Sequence, residues 1–272
     1  MKAAYQGIKG AYSEAAVYKY FGDKAEAAGF ETFEEVFEAV KSGEADYGVV
    51  PVDNTIAGTV AANCDLLLKH DVYVIAEIYL DIHHNLLSHK GVSLKDLKIV
   101  CSHPHALEQC REFIKKHKLK AVPEYDTAGA AKIAKERNKK DEAAIASEFC
   151  AKIYDLEIIE KNISTAKNNI TKFFVFVNSD KISKNIKQEK TSIVFRTKHY
   201  PGALINCLQR LAKHDINLTK LESRPVPENP WEYAFYADFE GGVEDEKVKL
   251  ALSEMEAACE FLKVLGSYPK GK

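Results

Sequence analysis

The chain has 272 residues, enough for about two domains and a substantial buried core. Its 38 Lys and Arg residues nearly balance its 40 Asp and Glu residues, so the net charge is -2 at pH 7. This balance leaves no positive surplus for a nucleic-acid backbone or an anionic membrane, and neither is expected as a partner. Hydrophobic residues make up 46% and charged residues 29%, which excludes a disordered chain.

The sequence also indicates a compartment. The N-terminus, MKAAYQGIKGAYSEAA, is typical of a strand, a loop and a helix start rather than a signal peptide. The chain contains no apolar run of about 18 residues that could cross a bilayer. Its six cysteines form no C-x-x-C pair, which favours buried reduced thiols over a disulfide framework or a zinc site. We therefore expect a cytoplasmic protein.

Short apolar runs alternate with amphipathic stretches from residue 1 to residue 178, a pattern typical of βα units. The predicted strands are Lys2–Gln6, Tyr47–Val52, Tyr73–Tyr79, Lys98–Cys101, Ala143–Ala146 and Phe173–Asn178. Helices are predicted to follow Ser13, Phe33, Val60, Pro104, Thr127 and Ser147. This order predicts an α/β domain over residues 1–178.

Residues 179–190, SDKISKNIKQEK, are charged and poor in apolar residues, as a linker is. Beyond them the order changes to βαββαβ, the ferredoxin-like order, over residues 191–269. The predicted elements are a strand at Thr191–Arg196, a helix at Gly202–His214, strands at Leu218–Arg224 and Glu232–Phe239, a helix at Glu246–Phe261 and a strand at Val264–Tyr268. A small sheet with helices on one face leaves its other face and its edges open, so pairing with a second copy is expected.

Polar residues follow several predicted strands, where α/β sheets bind their ligands. They are Ser13, Asn54, Thr55, Ser102, Thr127 and Ser147. Each alone is better explained as a helix N-cap, whereas together, with Gly7 and Gly10 in the first loop, they indicate a small-anion site.

Other chemistries have weaker support in the sequence. The first loop lacks the third glycine of a dinucleotide fingerprint, so no nicotinamide cofactor is expected. The pairs His83-His84 and His103-Pro104-His105 lack the spacing of metal ligands, so no metal is expected. No G-x-S-x-G elbow supports a serine hydrolase. The polar segment Asn168–Lys172 runs directly into a predicted core strand, where a rigid scaffold could aim a catalytic group.

Several motifs together resemble the prephenate dehydratase family. They are G-x-x-G-x-Y-S-E-x-A at the start, V-P-V-D-N-T-x-x-G after residue 49, S-H-P-H-A-L-x-Q after residue 101, T-K-F at the strand entry, G-A-L-I at Gly202–Ile205 and L-T-K-L-E-S-R-P at Leu218–Pro225. The resemblance extends from Lys2 to about Pro269. It leaves no room for the chorismate mutase domain of some relatives and implies a monofunctional enzyme.

The resemblance implies a fold and an activity. The expected fold is a two-lobed, periplasmic-binding-protein-like catalytic domain, with one lobe at about 1–77 plus 155–178 and the other at 78–154, followed by an ACT regulatory domain. The expected reaction converts prephenate to phenylpyruvate with loss of water and CO₂, in phenylalanine biosynthesis and without a cofactor. Feedback by L-phenylalanine and a homodimer or homotetramer are also implied.

Residue roles follow from the same resemblance. The family's essential threonine corresponds to Thr171. Prephenate would be bound by Ser13, Asn54, Thr55, Ser102, Thr127, Lys172 and Phe173. Phenylalanine would be bound at a subunit interface by Gly202, Ala203, Leu204, Ile205, Glu222, Ser223, Arg224 and Pro225.

The sequence departs from the family pattern at three positions. Lys172 stands where arginine is usual, Thr55 where serine is usual and Asp53 where glutamate is usual. An ammonium meets a carboxylate as a point charge rather than through a guanidinium fork, so the binding geometry at Lys172 is open.

The alternatives left open concern the proton donor and the substrate. Water, His103 or Glu14 could supply the proton for the departing hydroxyl. A relative of the same fold could act on arogenate, could decarboxylate prephenate without dehydration, or could be a non-catalytic amino-acid sensor.

Overall fold

The computed structural model describes residues 1–183, 186–226 and 229–271. Residues 184 and 185 of the expected linker and residues 227 and 228 of the expected C-terminal domain therefore lie outside the described residues. The strands are β1 (Lys2–Gln6), β2 (Glu26–Phe30), β3 (Tyr47–Asn54), β4 (Gly58–Thr59), β5 (Val72–Asp81), β6 (Asn85–Ser88), β7 (Ile99–Ser102), β8 (Lys120–Pro123), β9 (Glu142–Ala146), β10 (Glu157–Glu160), β11 (Ile170–Asn178), β12 (Lys190–Thr197), β13 (Leu218–Val226), β14 (Asn229–Glu240) and β15 (Cys259–Tyr268). The α-helices are α1 (Tyr12–Phe21), α2 (Phe33–Ser42), α3 (Ala61–Lys69), α4 (Pro104–Gln109), α5 (Arg111–Lys116), α6 (Thr127–Arg137), α7 (Glu148–Ile153), α8 (Ala203–Lys213) and α9 (Glu246–Ala258).

The first lobe is a sheet in the order β2-β1-β3-β11-β5, with α1 on one face and α2 and α3 on the other. β1 is parallel to β2 and β3, whereas β11 is antiparallel to both of its neighbours. The run Phe173–Val177 of β11 is buried on both faces, which explains its continuous apolar sequence. β11 is therefore the central strand that carries the candidate site.

The second lobe is a sheet in the order β10-β6-β9-β7-β8. The chain crosses between the lobes twice, once between β5 and β6 and again between β10 and β11. Residues 155–178 were expected in the first lobe. That assignment is wrong for β10, because Glu157 and Ile158 pair with Ser88 and Leu87 of β6 in the second sheet.

The lobes contact each other through the first loop. The carbonyl oxygen of Gly10 accepts hydrogen bonds from the Cys150 thiol at 3.1 Å and from the Ser147 hydroxyl at 3.3 Å. Gly10 has a φ of +95°, and a Cβ there would lie 2.8 Å from Cys150 Sγ. Only glycine fits this turn against the second lobe.

The C-terminal strands are arranged in the order β13-β14-β12-β15, with α8 and α9 packed on one face. This is the ferredoxin-like order, so the predicted fold class, a two-sheet α/β region followed by a βαββαβ unit, is confirmed. The last helix ends at Ala258 instead of Phe261, since β15 begins at Cys259. No helix of the described residues is long and apolar enough to cross a membrane.

The face of the C-terminal sheet that was expected to be open packs against the first lobe. Tyr236 and Tyr268 share a buried cluster with Val52, Cys64 and Phe174. β15 also pairs with β5, which joins both sheets into one of ten strands within the described residues. The junction requires Gly266, because a Cβ there would lie 2.2 Å from the Val74 carbonyl oxygen.

Candidate active site at the lobe junction

Thr171 is the second residue of β11, at the junction of the two lobes, and is 8% exposed. Its register partner on β3 is Asn54, and Asn54 Nδ2 lies 2.9 Å from Thr171 Oγ1. Among the described residues, no acceptor takes the Thr171 hydroxyl proton. The hydroxyl therefore receives one hydrogen bond, and within the described residues its own hydrogen is not engaged.

The orientation of the Asn54 amide is fixed by the backbone. Asn54 Oδ1 accepts hydrogen bonds from Ile56 N at 2.9 Å and Ala57 N at 2.8 Å. Because the oxygen is occupied by two backbone donors, the amino group must point toward Thr171 and toward Asn169 Oδ1, 2.8 Å away.

A chain of hydrogen bonds continues from Asn54 into the second lobe. Asn169 Nδ2 donates to Gln109 Oε1 at 2.9 Å, and His84 Nε2 lies 2.8 Å from the same oxygen. His84 Nδ1 lies 3.2 Å from the hydroxyl oxygen of Tyr12, which can donate its single hydrogen either to His84 Nδ1 or to the His83 carbonyl oxygen, 2.8 Å away. These hydrogen bonds thus connect the Thr171 hydroxyl to α4 and to both segments in which the polypeptide passes from one lobe to the other.

The donors and acceptors in this series of hydrogen bonds determine which ring nitrogen of His84 carries the hydrogen. Since Gln109 Oε1 accepts, the hydrogen of His84 lies on Nε2. Burial lowers the pKa of His84, so the imidazole is neutral at neutral pH. Burial also raises the pKa of the Tyr12 phenol. The series of hydrogen-bonded side chains that links Tyr12 to Thr171 is therefore uncharged.

A cavity of about 300 Å³ opens beside Tyr12 between the lobes. First-lobe residues Tyr12, Leu80 and Asp81 and second-lobe residues Asn85, Ser147 and Glu148 line it. Lys161 also lines it, and its Nζ lies 3.4 Å from Glu148 Oε2. Its volume is suited to a small organic molecule.

Thr55 fastens the second crossing to the end of β3. Its hydroxyl donates to the Asn168 carbonyl oxygen at 2.7 Å and accepts from Ile170 N at 3.0 Å. Both functions of the hydroxyl are used, so Thr55 positions the segment that carries Asn169. The expectation that its hydroxyl binds substrate is not supported by this geometry.

Two other expected substrate-binding residues are buried away from the junction. Ser102 is 0% exposed, and its hydroxyl donates to the Ile145 carbonyl oxygen at 2.6 Å, tying β7 to β9. Phe173 is 2% exposed and packs with Tyr5 and Ile78 in the core under α1. These two expectations are wrong, because a hydroxyl and a ring in such positions cannot reach a ligand without unfolding the sheet.

Ser13 and Thr127 lie in the first turns of helices. Ser13 is at the second residue of α1 and is 8% exposed, next to Tyr12. Thr127 is the first residue of α6, where Asp126 Oδ1 provides the cap by accepting from Gly129 N at 2.5 Å. The structure keeps Ser13 close to the hydrogen-bonded cluster and gives no contact between Thr127 and that cluster within the described residues.

Lys172 does not lie beside the Thr171 hydroxyl. The strand was expected to begin at Phe173, but β11 begins at Ile170, so Thr171 and Lys172 both lie in the strand and point to opposite faces. Lys172 Nζ lies 2.6 Å from Asp238 Oδ2 in the C-terminal sheet and 5.0 Å from the centre of the Phe174 ring. The expectation that Lys172 binds the substrate carboxylate is therefore wrong in this geometry.

Lys172 belongs to a buried group of four charges between the first lobe and the C-terminal sheet. Lys190 Nζ lies 2.8 Å from Glu77 Oε2, and Ser192 Oγ donates to Asp238 Oδ1 at 2.5 Å. Burial alone would raise the pKa of Asp238, but the charge and hydrogen bond of Lys172 outweigh it and hold the pKa below its usual value. Both carboxylates and both ammonium groups thus neutralise one another.

The two side chains considered as proton donors have structural partners. Glu14 is 3% exposed, and its carboxylate accepts from Gly10 N at 2.6 Å, closing the first loop. His103 caps α4 by accepting from His105 N at 3.2 Å, and burial lowers its pKa. Neither has a contact with Thr171 within the described part of the chain.

The residues expected to bind phenylalanine fall into two separate places. Gly202 to Ile205 begin α8 and line a surface cavity of about 650 Å³, and Ile205 is 63% exposed. On β13, Arg224 forms a bidentate ion pair with Asp65 of α3, while Ser223 and Pro225 are exposed. No β13 residue of the described chain lines the α8 cavity, so a single copy does not bring the two segments together.

Sequence reasoning missed four members of the hydrogen-bonded chain. They are Tyr12, His84, Gln109 and Asn169. The signal was present for three: Tyr12 and Gln109 lie inside the quoted motifs, and Asn169 precedes T-K-F. Their roles depend on the contact between lobes, which sequence spacing does not give.

One group of potential metal ligands lies elsewhere in the described residues, at the α2–α3 contact. His70 Nε2 is 3.1 Å from Glu34 Oε1, and His70 Nδ1 is 3.6 Å from Glu38 Oε1. Lys69 Nζ shares the same Glu34 oxygen at 2.7 Å, and its hydrogen bond lowers the Glu34 pKa. The group is adequately explained as an ion-pair network.

The two lobes and the polar cluster between them define a two-lobed α/β enzyme with a ferredoxin-like C-terminal unit. Residues 3–181 match the family model for prephenate dehydratase. Arogenate dehydratase/prephenate dehydratase 2, a chloroplastic protein of Arabidopsis thaliana, is 41% identical over 278 residues, covering 99% of this chain and 73% of the relative. The chain belongs to the prephenate dehydratase family.

Solved structures agree over the whole chain. Prephenate dehydratase from Arthrobacter aurescens in complex with L-Phe has a TM-score of 0.89 and 28% identity, covering 98% of this chain and 89% of that one. A structure described as GqqA, a novel type of quorum quenching acylase, has a TM-score of 0.91 and 31% identity, covering 99% of this chain and 98% of that one.

Proposed function

We propose that the protein converts prephenate to phenylpyruvate, water and CO₂. The ring carboxylate leaves as CO₂, its bonding electrons enter the ring, and the C4 hydroxyl departs with a proton as water. Aromatisation drives the reaction, so the protein mainly orients the ring and stabilises the departing oxygen. The observation that carries the proposal is the Thr171 hydroxyl, whose oxygen is held by Asn54 and whose hydrogen is available.

Thr171 is the proposed catalytic residue. An alcohol is a much weaker acid than a carboxylic acid, so Thr171 donates a hydrogen bond to the departing hydroxyl rather than a full proton alone. With Glu14 and His103 held in structural contacts, we propose that water delivers the proton. The uncharged series of hydrogen-bonded side chains that links Tyr12 to Asn54 holds Thr171 in place and adds no charge to the site.

The direct test is incubation with prephenate, with the product identified by mass spectrometry. Phenylpyruvate is expected. Arogenate is supplied in parallel, because the Arabidopsis relative is named for both substrates. Phenylalanine formed from arogenate at a higher kcat/KM would favour the second candidate, arogenate dehydratase. Loss of CO₂ with retention of the hydroxyl would indicate a decarboxylase, and binding without turnover would indicate a sensor.

The acylase named for one structural neighbour has less support from this site. Amide hydrolysis by a hydroxyl requires a base beside the nucleophile. Within the described residues the partner of the Thr171 hydroxyl is the amino group of Asn54, which is a donor and not a base. An N-acyl amide included in the same assay is expected to remain intact.

We further propose that residues 1–178 form the catalytic domain and residues 191–269 an ACT regulatory domain that binds L-phenylalanine. The Arthrobacter relative is described in complex with L-Phe, and the α8 cavity of about 650 Å³ is large enough for an amino acid. Because Glu222–Pro225 lie apart from that cavity, we propose that a second copy completes the site, as a homodimer or homotetramer. Calorimetry with phenylalanine and light scattering test both points, and absence of binding would refute them.

The six cysteines, all free in the structure, support the proposal of a reducing cytoplasmic location.

A further inference from the structure

Two pairs of residues lie next to each other at the tips of β3 and β11. The first pair, Thr171 and Asn54, points into the lobe junction. The second pair, Lys172 and Asp53, is one residue further along and points to the opposite face, toward the C-terminal sheet. Contacts that hold Lys172 and Asp53 in place therefore also affect the distance between Thr171 and Asn54.

The ladder between β3 and β11 is irregular next to these pairs. The register between β11 and β3 shifts between Lys172 and Phe173, so both pairs lie beyond an irregularity at the end of the strand. A bulge of this kind interrupts the hydrogen-bonded ladder and changes the local direction of the strand. Side-chain contacts with a neighbouring sheet add to the bond from Thr55 N to the Ile170 carbonyl oxygen, 3.0 Å, in fixing the tips relative to each other.

The C-terminal sheet supplies such contacts. Lys172 Nζ lies 2.6 Å from Asp238 Oδ2, and Lys220 Nζ lies 2.8 Å from Asp53 Oδ2. Lys220 and Asp238 are themselves register partners on β13 and β14. The four residues form a square of alternating charge, which we call the charge square: Lys172, Asp53, Lys220 and Asp238.

We propose that Lys220 and Asp238 are positioning residues for the reaction, holding Asn54 and Thr171 at hydrogen-bonding distance through Asp53 and Lys172. The inference rests on the proposed function. Asp238 is 5% and Lys172 8% exposed, so their attraction is little screened by water. The square carries no net charge. It makes the C-terminal unit a part of the active-site scaffold.

The chain offers a matched control. Arg224 on β13 pairs with Asp65 on α3 across the same interface, with Arg224 Nη2 and Asp65 Oδ2 2.7 Å apart. Within the described residues, Asp65 forms no hydrogen bond or ion pair with the tips of β3 and β11. Asp65→Asn therefore breaks an ion pair between the same two units without touching the charge square.

The primary variant is Lys220→Met, because the exposed fraction of the Asp53 side chain, 32%, allows its carboxylate to be hydrated when left alone. Displacement of catalytic groups by about 1 Å can lower rates about a hundredfold. We expect Lys220→Met and Asp53→Asn each to lower kcat about tenfold to a hundredfold, with KM within about twofold. Lys220→Arg, which keeps the cation, and Asp65→Asn are expected to stay within about twofold of wild type.

The double variant Asp53→Asn/Lys220→Met separates positioning from independent effects. Residues that act through one contact are non-additive, so its kcat is expected to match that of the worse single variant. Four results would each overturn the proposal. Lys220→Met could keep the wild-type kcat, or Asp65→Asn could lose as much kcat as Lys220→Met. The loss in Lys220→Met could appear in KM alone, or the losses of the two single variants could add up in the double variant.

A second measurement needs no turnover. The side-chain amide signals of Asn54 in a ¹H–¹⁵N NMR spectrum are expected to shift in Lys220→Met and to stay in place in Asp65→Asn. If wild type fails to convert prephenate, the proposed function fails, while the NMR comparison still decides the positioning role. If wild type is active and the Asn54 signals do not respond to Lys220→Met, the positioning role alone fails.

Discussion

The amino group of Asn54 lies 2.9 Å from the hydroxyl oxygen of Thr171, across two paired strands of the first lobe. The contact decides the direction of the hydroxyl, since an oxygen that accepts from an amide leaves its own hydrogen for another acceptor. In the proposed reaction that acceptor is the departing hydroxyl of the substrate.

Asn54→Asp tests this relationship with little change in shape. A carboxylate can still accept from Ile56 N and Ala57 N, but it cannot donate to Thr171. We expect kcat to fall about tenfold or more, because the hydroxyl is no longer directed. Steady-state kinetics with prephenate give the value. Asn178→Asp, at the far end of β11, is the control, since within the described residues the Asn178 side chain accepts one hydrogen bond, from Asp180 N, which aspartate can also accept. Equal kcat values for the two variants would contradict the role of Asn54.

Gln109→Leu is expected to weaken the contact between lobes. It removes the acceptor shared by Asn169 and His84, which are 4% and 3% exposed. A buried donor without a partner costs about 1–3 kcal/mol, so the free energy of unfolding falls by at least that amount. Urea denaturation measures it. Gln109→Glu retains an acceptor and should lose less; a leucine variant as stable as wild type would disprove the bridging role.

His84 predicts a pH dependence of stability. Burial lowers its folded pKa below the usual 6.5, so the unfolded state binds a proton more readily. The stability that neutral His84 contributes is complete above pH 6.5 and is lost as the pH falls through the folded pKa. Unfolding at about pH 7.5 and about pH 5.5 should show a smaller pH effect in His84→Gln than in wild type. The same pH effect in both would exclude His84 as its source.

Asp238→Asn is expected to destabilise the junction between the first lobe and the C-terminal sheet. The change leaves Lys172 and Lys190 with Glu77 as the carboxylate of their buried group. Breaking a buried ion pair on one side costs about 3–5 kcal/mol. Asp65→Asn breaks an exposed pair and is expected to cost at most about 1 kcal/mol. Denaturant unfolding compares them, and similar losses would count against a buried charge group.

Much of the fold could be predicted because apolar spacing reports burial directly. The six strands expected before residue 178 all exist; β1 matches at both ends, and no end of the others is shifted by more than three residues. The strands that were missed include β2, β8 and β10, which lie at sheet edges or carry polar residues, so their sequences lack the apolar run of a buried strand.

The candidate site could be predicted only in part. The motifs pointed to Thr171 and Asn54, which the structure brings together. The error at Lys172 arose because the strand was expected to start at Phe173, three residues late. Within a strand, adjacent residues such as Thr171 and Lys172 point to opposite faces of the sheet. Gln109 and His84 join the site through contacts between lobes, which local sequence patterns do not contain.

The rate of phenylpyruvate formation from prephenate by Thr171→Ala, measured beside Thr171→Ser, tests the central claim most directly. Thr171 is paired with Asn54 at a strand end, so alanine should fold with a melting temperature close to that of wild type. We expect alanine to lower kcat about a hundredfold or more and serine, which keeps the hydroxyl, to retain most of the activity. An alanine variant that forms phenylpyruvate at nearly the wild-type rate would contradict the account.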